Sequence, residues 1–305
     1  MYNIRPKFIM LIGIPGCGKT TYCKAYKAEN PNTIHLSSDE IRMAVTNNNP
    51  KYTKEENNFV FKYMSDEALK ELNNGNNVLY DATNLTRKSR KGILERLPKY
   101  CEVNAIIFTP TIEECIERDN QRDGLAKVGA DVIDKMVRRF QIPYYDEGFT
   151  NICIYNYTSI ESHKSSIDSM KISHDNKHHR LSIYAHSIEA RNYAENKNFD
   201  ITVCRAAMYH DIGKPYCKTF VNKKGEVSEE AHYYDHQNVG TYIYLSKMFV
   251  HNYLTDKAAI DEQLFIGWLI NNHMELYNNS KYIKSLPDFM RIPLEQLHEC
   301  DVKAH

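Results

Sequence analysis

The sequence predicts a two-part chain, in which an α/β part with a parallel sheet and helices on both faces precedes an all-α part. In the first part, short β-branched runs alternate with longer helical runs, which is typical of a parallel sheet with covering helices. The second part shows helical spacing without an alternating strand pattern. Of 13 histidines, only His35 precedes residue 160, so two different chemistries are expected to share the chain.

The first part is predicted to hold five strands and six helices. The strands are Phe8–Gly13, Thr33–Leu36, Asn77–Asp81, Val103–Thr109 and Ile152–Tyr155. The helices are Lys19–Glu29, Asp39–Val45, Lys54–Asn73, Thr86–Leu97, Ile112–Asp123 and Ala130–Phe140.

Helical spacing predicts five helices in the second part: Leu181–Asn196, Ile201–His210, His236–Val250, Asp261–His273 and Pro293–Val302. Between the parts, Tyr157–Lys177 is polar and has the composition of a connector. We therefore predict domains at 1–157 and 178–305 with a linker at 158–177.

The composition is that of a globular chain, with 305 residues of which 42% are hydrophobic. Lys and Arg (39) balance Asp and Glu (39), so a nucleic-acid partner would need a local basic patch. Eight cysteines without a CxxC pair indicate reduced thiols and a cytoplasmic location. The early apolar run Phe8–Ile14 is too short for a membrane span and does not have the pattern of a signal peptide. Oligomeric state is left open.

The segment Gly13-Ile14-Pro15-Gly16-Cys17-Gly18-Lys19-Thr20 satisfies the P-loop pattern GxxxxGK[ST], with an apolar strand before it and a helix after it. Such a loop cradles phosphates with its backbone N–H groups, its lysine reaches the β and γ phosphates, and its threonine can bind Mg²⁺. The predicted ligands are ATP, or another nucleoside triphosphate, and Mg²⁺. The expected contacts are Gly13, Gly16, Cys17, Gly18, Lys19, Thr20 and Thr21, with Thr20 on the metal.

Polar residues follow the next two predicted strands, where the carboxyl ends of parallel strands line a ligand crevice. Asp39 can accept the proton of an acceptor hydroxyl, with Arg42 one helical turn later on the same face. Alternatively, Ser38 or Asp39 caps the helix. Residues 81–84 end the third strand. Asp81 can assist the metal or the acceptor residues there, or, alternatively, these residues form a polar turn.

Two further features of the first part concern charge. Arg118 and Arg122 precede a short glycine-bounded stretch at 124–129, which suits a lid that closes over ATP or, alternatively, a solvated helix face. Six cations face one acid on the predicted helix after residue 86: Arg87, Lys88, Arg90, Lys91, Arg96 and Lys99 against Glu95. This group can hold a nucleic-acid backbone or be a solvated face.

In the second part, adjacent His210 and Asp211 follow an apolar helical run, and further histidines and an aspartate occur on other predicted helices. Imidazoles and carboxylates are the ligands that divalent metals such as Mn²⁺, Ni²⁺, Co²⁺, Fe²⁺, Zn²⁺ and Mg²⁺ accept. Four histidines and two aspartates suffice for one or two such ions, which can hold a phosphate and activate water.

The first-part motifs, a P-loop, then Asp39-x-x-Arg42, then Asp81-x-Thr83-Asn84, then Arg118-x-x-x-Arg122 before a lid, resemble the 5′-OH polynucleotide kinases of phage RNA repair. The resemblance implies that Asp39 is the general base and that Arg42 lies near the acceptor. It also implies that Arg122 contacts the phosphates, and that Asp81, Thr83 and Asn84 contact the acceptor.

The second part resembles HD-domain phosphohydrolases, and the stretch around 210–215 looks most like the HD domains of RNA-processing nucleotidyltransferases. The resemblance implies metal ligands at His186, His210, Asp211, His236, His273 and Asp301. It also implies that Lys214 contacts phosphate.

Together, the resemblances imply an end-healing enzyme that phosphorylates 5′-OH ends and removes 3′-phosphate or 2′,3′-cyclic phosphate, acting on RNA more than DNA, with a separate RNA ligase as functional partner. A phage-encoded protein of this kind would act in the host cytoplasm, without a membrane partner. Two alternatives stay open: a nucleoside or metabolite kinase fused to a nucleotidase, and a kinase with a non-catalytic, RNA-binding HD module.

Overall fold

The computed structural model describes residues 5–47, 49, 52–155, 161–175, 181–247, 256–278 and 281–304. The chain divides into two compact units. The first comprises Met1–Met136 and Pro143–Asn156, and the second comprises Val137–Ile142 and Tyr157–His305.

The first unit is built on a five-stranded sheet whose neighbouring strands all pair in parallel. Its strands are β1 (Lys7–Ile12), β2 (Thr33–Ser37), β3 (Asn77–Asp81), β4 (Glu102–Phe108) and β5 (Asn151–Tyr155). Their spatial order is β2-β3-β1-β4-β5. The central strand β1 is almost entirely buried, as expected for a strand with apolar neighbours on both faces.

Six helices connect these strands: α1 (Lys19–Glu29), α2 (Ser38–Val45), α3 (Lys54–Asn73), α4 (Arg87–Leu94), α5 (Ile112–Asn120) and α6 (Ala130–Val137). Three of them begin with reciprocal capping boxes, in which Thr53, Thr86 and Thr111 each accept a hydrogen bond from the backbone N–H three residues later. Such caps satisfy N–H groups that have no partner within the helix and thereby fix where it starts.

The second unit is mainly helical. Its helices are α7 (Glu161–Ser169), α8 (Ile183–Asn196), α9 (Ile201–Tyr209), α10 (Lys214–Cys217), α11 (His236–Lys247), α12 (Lys257–Asn272), α13 (Lys281–Lys284) and α14 (Asp288–Lys303). Trp268, Tyr242 and Leu297 are among its most deeply buried side chains. Among the described residues, no helix has both the length and the apolar character needed to cross a membrane.

The expectation of an all-α second part is wrong in one respect. Strands β6 (Thr219–Val221) and β7 (Val227–His232) form an antiparallel hairpin. Its turn uses Gly225, whose φ of 86° suits glycine. Because Val227 is 88% exposed and the hairpin buries little, no apolar alternation marks these strands in the sequence.

Several boundaries also differ from expectation. The linker predicted at 158–177 contains helix α7, and its residues 158–160 and 176–177 lie outside the described residues. The helix predicted to end at Phe140 ends at Val137, and Val137–Ile142 belongs to the second unit instead of a contiguous domain at 1–157. Helix α14 starts at Asp288, so Pro293 lies inside it and not at its first position.

The segment Val137–Ile142 is held in the second unit by hydrogen bonds and ring packing. Asn238 donates a hydrogen bond to the carbonyl of Arg138 (2.7 Å), and Ile142 N donates to Asn271 Oδ1 (3.2 Å). The Phe140 ring packs edge-on against a buried tyrosine of α11, with centroids 5.4 Å apart. These contacts join residues about 100 or more positions apart, which local sequence patterns do not encode.

Candidate functional sites

The P-loop lies between β1 and α1, at the carboxyl edge of the sheet. Lys19 begins α1, and its Nζ donates hydrogen bonds to the carbonyls of Gly13 (2.8 Å) and Ile14 (3.1 Å). Gly13 N donates to the Thr83 carbonyl at 3.1 Å, which ties the loop to the end of β3. The lysine is thus held over the loop, where it can reach bound phosphates.

Gly16 is the P-loop residue with the least room. Its φ is 80°, in the left-handed region, and a Cβ there would lie 2.3 Å from the Cys115 carbonyl oxygen of α5. A side chain therefore cannot be added without moving the loop or α5. The motif glycine is required both by backbone conformation and by close packing.

Asp39 and Arg42 lie together on α2, just past the end of β2. Arg42 Nη1 is 2.6 Å from Asp39 Oδ1, and Arg42 Nη2 donates to Asn57 Oδ1 at 3.3 Å. The Arg42 guanidinium also lies over the Tyr52 ring, 4.9 Å from its centroid. Asp39 is not the helix cap, because Ser37 Oγ accepts the hydrogen bond from the third residue of α2. The Asp39 side chain is 82% exposed and hence open to an acceptor.

Asp81 ends β3 and is contacted by two residues that the sequence reasoning had not selected. Its Oδ2 accepts from Cys23 Sγ (3.5 Å) and lies 3.3 Å from His35 Nε2. Asn84 is buried in a left-handed conformation, and its side-chain amide donates to the Leu11 carbonyl at 2.8 Å. In this structure the Asn84 amide therefore supports the strand ends.

The two arginines of the predicted lid lie in different places. Arg118 Nη1 reaches the Gly16 carbonyl of the P-loop at 3.5 Å. Arg122 instead contacts the Ala126 carbonyl at 3.4 Å and pairs with Asp119 at 3.7 Å. The buried Asp119 carboxylate also accepts from the backbone N–H groups of residues 128 and 129, so it anchors the short stretch after α5.

Most of the cations on and after α4 are paired with carboxylates. Arg90 is fully buried and bonded to Glu147, Arg87 pairs with Asp146, Arg96 with Asp66, and Lys91 with Glu95. The basic group that the sequence suggested is thus largely neutralised within the protein. Within the part of the chain that the structure describes, Lys88 and Lys99 form no ion pair with a carboxylate.

In the second unit, four buried histidines are oriented in the same way. Each Nδ1 lies 2.7–2.8 Å from a backbone carbonyl oxygen, which can only accept, so each Nδ1 carries the proton. Their Nε2 atoms therefore present lone pairs when the rings are neutral. This anchoring is characteristic of metal-binding histidines. The four are His186, His210, His236 and His273.

The Nε2 atoms converge on two carboxylates. His210 Nε2 lies 3.3 Å from both Asp211 Oδ2 and Asp301 Oδ1. His186 Nε2 lies 3.0 Å from Asp301 Oδ1, and His236 Nε2 lies 3.4 Å from Asp211 Oδ1. The structure thus brings together all six residues that the sequence nominated as ligands, including His273.

These six residues form two groups of candidate ligands, each with its ligand atoms within 4.8 Å of one another. The first group is His186, His210 and Asp301, and the second is Asp211, His236 and His273. Asp211 joins the groups, since its two oxygens face histidines of different groups.

Several contacts within the cluster call for a cation. His236 Nε2 and His273 Nε2 are 3.1 Å apart. Because both Nδ1 atoms carry protons, two lone pairs face each other there when both rings are neutral. In addition, when the His210 ring is neutral its Nε2 has no hydrogen to donate to the two carboxylate oxygens that lie 3.3 Å away. Buried polar atoms are normally satisfied, and a divalent cation would satisfy these.

The charge balance leads to the same conclusion. Burial opposes a charge on His210, but Asp211 and Asp301 outweigh it and raise the pKa of His210 to about 10. Burial, aided by neighbouring His236 and His210, lowers the pKa of His273 to about 3. The two carboxylates thus favour positive charge in their midst, which a protonated histidine or a metal ion can supply.

A close helix approach fixes the turn after the His210–Asp211 pair. A Cβ on Gly213 would lie 2.2 Å from the His236 carbonyl oxygen. This glycine therefore allows α10 to start directly against α11. As a result Lys214, the first residue of α10, lies with its Nζ 2.7 Å from Asp211 Oδ2.

The sequence reasoning missed two further residues of this cluster. His174, in the supposed linker, is fully buried, and its Nε2 lies 3.9 Å from Asp211 Oδ2. The Tyr277 hydroxyl donates to Asp301 Oδ2 at 2.8 Å. Neither residue lies in a motif, and only the abundance of histidine after residue 160 could have drawn attention to His174.

A family model described as an AAA domain matches residues 8–143. Together with the P-loop and the parallel sheet, this match defines the first unit as a P-loop nucleotide-binding domain, which implies ATP and Mg²⁺ as ligands. An Arabidopsis thaliana protein named transcription factor bHLH140 is 28% identical over 149 residues, which are 47% of this chain. The chain spans 15% of the length of that relative.

Solved structures with partial similarity include three kinds of protein. The Pnkp1/Rnl/Hen1 RNA repair complex matches with 23% identity and a TM-score of 0.40, over 44% of this chain and 43% of that one. A fungal RNA kinase matches with 24% identity and a TM-score of 0.35, over 53% and 81% of the chains. A sugar kinase from Janibacter sp. matches with 15% identity and a TM-score of 0.39, over 49% and 84%.

Proposed function

We propose that the chain is a bifunctional end-healing enzyme, in which the first unit phosphorylates 5′-OH ends of RNA with ATP and the second hydrolyses 3′-phosphate or 2′,3′-cyclic phosphate ends. The observation that carries the proposal is the presence in one chain of two phosphate-handling clusters. One is the P-loop with the exposed Asp39–Arg42 pair, and the other is the histidine–aspartate cluster around Asp211.

In the kinase reaction, Lys19 binds the β and γ phosphates of ATP, and Arg118 of α5, which reaches the Gly16 carbonyl, faces them from beside the loop. The 5′ oxygen of the acceptor attacks the γ-phosphorus while Asp39 takes the hydroxyl proton. The bond from the γ-phosphorus to the bridging oxygen breaks, and ADP leaves. Arg42 orients Asp39, because its guanidinium is paired with that carboxylate.

In the second unit, the six converging residues fit one or two divalent cations, and the facing Nε2 atoms of His236 and His273 support this assignment. A cation bound there supplies positive charge that polarises phosphate and acidifies water. Lys214 binds a phosphate oxygen. Water adds to the phosphorus, the bond to the 3′ oxygen breaks, and a proton from the water is transferred to the departing oxygen.

The test is an RNA oligonucleotide with a 5′-OH and a 3′-phosphate, incubated with the full chain, ATP, Mg²⁺ and Mn²⁺, with both ends then analysed. We expect both ends to change. Asp39→Asn should lower 5′ phosphorylation by about 10²- to 10⁴-fold with ATP affinity retained, while the neighbouring exposed Glu40→Gln serves as the matched control. His210→Ala should abolish 3′ hydrolysis and metal uptake and leave the kinase rate near normal.

The outcomes separate the alternatives. A free nucleoside that is phosphorylated faster than the oligonucleotide would replace the RNA kinase by a metabolite kinase. A metal-loaded second unit that binds RNA but leaves every 3′ end intact would make it a non-catalytic binding module. A kinase rate that fell tenfold or more in folded His210→Ala would contradict two separate active sites.

A further inference from the structure

His174 is held in place by a set of contacts outside the ligand cluster. It lies in the short stretch between α7 and α8, and its Nδ1 donates to the Leu181 carbonyl at 2.8 Å. The hydroxyl of Tyr233 donates to the His174 carbonyl. On the next residue, the Asp175 carbonyl accepts from Ala231 N of β7 at 2.8 Å. The ring is thus fixed from several elements, as the four ligand histidines are.

The ammonium of Lys214 lies 3.4 Å from His174 Nε2. Since Nδ1 carries the ring proton, Nε2 of the neutral ring is an acceptor, and Lys214 is the donor. The same ammonium pairs with Asp211 Oδ2 at 2.7 Å and lies 5.5 Å from the centroid of the Tyr233 ring. A buried ammonium requires such partners, and His174 supplies one of them.

We propose that His174 is a positioning residue for phosphate recognition, which orients the Lys214 ammonium toward the phosphate group of the substrate. This inference rests on the phosphohydrolase proposed for the second unit. An ammonium has three N–H groups, of which one is directed to His174 and another faces Asp211. The third N–H then points at an oxygen of a phosphate group that is bound at the cluster. This phosphate group lies on the Lys214 side of Asp211.

The competing assignment is that His174 is a further metal ligand. The distances favour the positioning role. The Nε2 atoms of His186, His210 and His236 lie 3.0–3.4 Å from their nearest carboxylate oxygen, whereas that of His174 lies 3.9 Å away. The Lys214 ammonium is nearer to His174 Nε2 than the Asp211 carboxylate is, and the positive charge of that ammonium would repel a metal ion from the same place.

The experiment compares His174→Leu, which removes the acceptor, with His174→Gln, whose amide oxygen can replace Nε2. His232→Leu, at a half-buried histidine of β7, controls for the loss of a histidine. The full chain is loaded with Mn²⁺. Bound metal is counted by elemental analysis, inorganic phosphate binding is measured by calorimetry, and hydrolysis of a 3′-phosphorylated RNA is measured as kcat and KM. Thermal melting of each variant checks that it is folded.

We expect His174→Leu to weaken phosphate binding and raise KM by about tenfold, the size of one lost hydrogen bond to a charged group, with metal content unchanged. His174→Gln should recover most of the loss. Loss of metal from folded His174→Leu would overturn the proposal in favour of a ligand role. Unchanged phosphate affinity in His174→Leu would also overturn it. If the wild type hydrolysed no 3′-phosphate, the proposed function would fail, while phosphate calorimetry would still decide the role of His174.

Discussion

Replacing Arg90 by alanine tests whether the cations of α4 serve the fold or a nucleic-acid substrate. Arg90 is fully buried and forms two hydrogen bonds to the carboxylate of Glu147, at 2.8 and 2.7 Å. A third hydrogen bond goes to the Asn84 carbonyl at 3.0 Å. The Glu147 side chain is only 3% exposed. Arg90→Ala therefore leaves a buried carboxylate without its counter-charge.

Removing one partner of a buried ion pair costs about 3 to 5 kcal/mol. The matched control is Arg96→Ala, which breaks the pair with Asp66, where both side chains are about half exposed. Exposed pairs contribute about 0.2 to 1 kcal/mol. We therefore predict that Arg90→Ala destabilises the first unit by at least about 2 kcal/mol more than Arg96→Ala does.

The assay must report on each unit separately, because a chain with two compact units is not expected to unfold in one step. Hydrogen exchange of peptides covering β3 reports the opening free energy of the first unit. Trp268, the single tryptophan, is buried in the second unit, and its fluorescence reports on that unit alone.

We expect Arg90→Ala to accelerate exchange in β3 and leave the unfolding midpoint of Trp268 unchanged. The double variant Arg90→Met with Glu147→Leu should recover much of the loss, since an apolar pair of similar volume can replace a buried ion pair. Equal destabilisation by Arg90→Ala and Arg96→Ala would refute the reasoning. The reasoning would also be refuted if Arg90→Ala kept wild-type stability but lost RNA binding.

Three further predictions concern the two sites. Gly16→Ala should lower ATP affinity by more than about tenfold in a titration with labelled ATP, because its Cβ would overlap a backbone carbonyl. The control is Gly75→Ala, because Gly75 has a φ of 84° and no atom within 4 Å of an added Cβ. We expect this variant to leave the ATP affinity unchanged. Since the pKa of His210 is about 10 without metal, Mn²⁺ binding at pH 7 should release about one proton and weaken as pH falls, which calorimetry in two buffers measures. Lys88→Glu should weaken RNA phosphorylation at low salt and not at high salt.

The parallel sheet and the P-loop could be predicted because their signals are local. Strand β1, the loop and the start of α1 are consecutive in the chain, and the glycine spacing follows from the backbone conformation that phosphate binding requires. The α4 cations show the limit of such reasoning. Their spacing suggested a patch, but Glu147 and Asp146, about 60 positions away, neutralise Arg90 and Arg87. Partners so distant leave no local pattern.

The candidate ligands of the second unit could be nominated from the sequence, but their orientation could not. Each histidine is aimed by a hydrogen bond from Nδ1 to a backbone carbonyl, and every residue has a carbonyl, so nothing in the sequence marks the partner. The structure holds Asp301 of α14 through His186 of α8 and through Tyr277, which precedes α13.

His174 shows why composition misled at the boundary between the parts. A polar stretch with few large apolar residues is typical of a connector, because such residues bury little surface. A polar side chain is nevertheless buried where other groups satisfy it, and His174 has the Leu181 carbonyl on one side of its ring and Lys214 on the other. Because the Lys214 ammonium contacts this ring as well as Asp211, His174 is grouped with the second site and not with a connector. Deleting the predicted linker, 158–177, should therefore weaken phosphate binding measured by calorimetry, even where all six candidate metal ligands are kept.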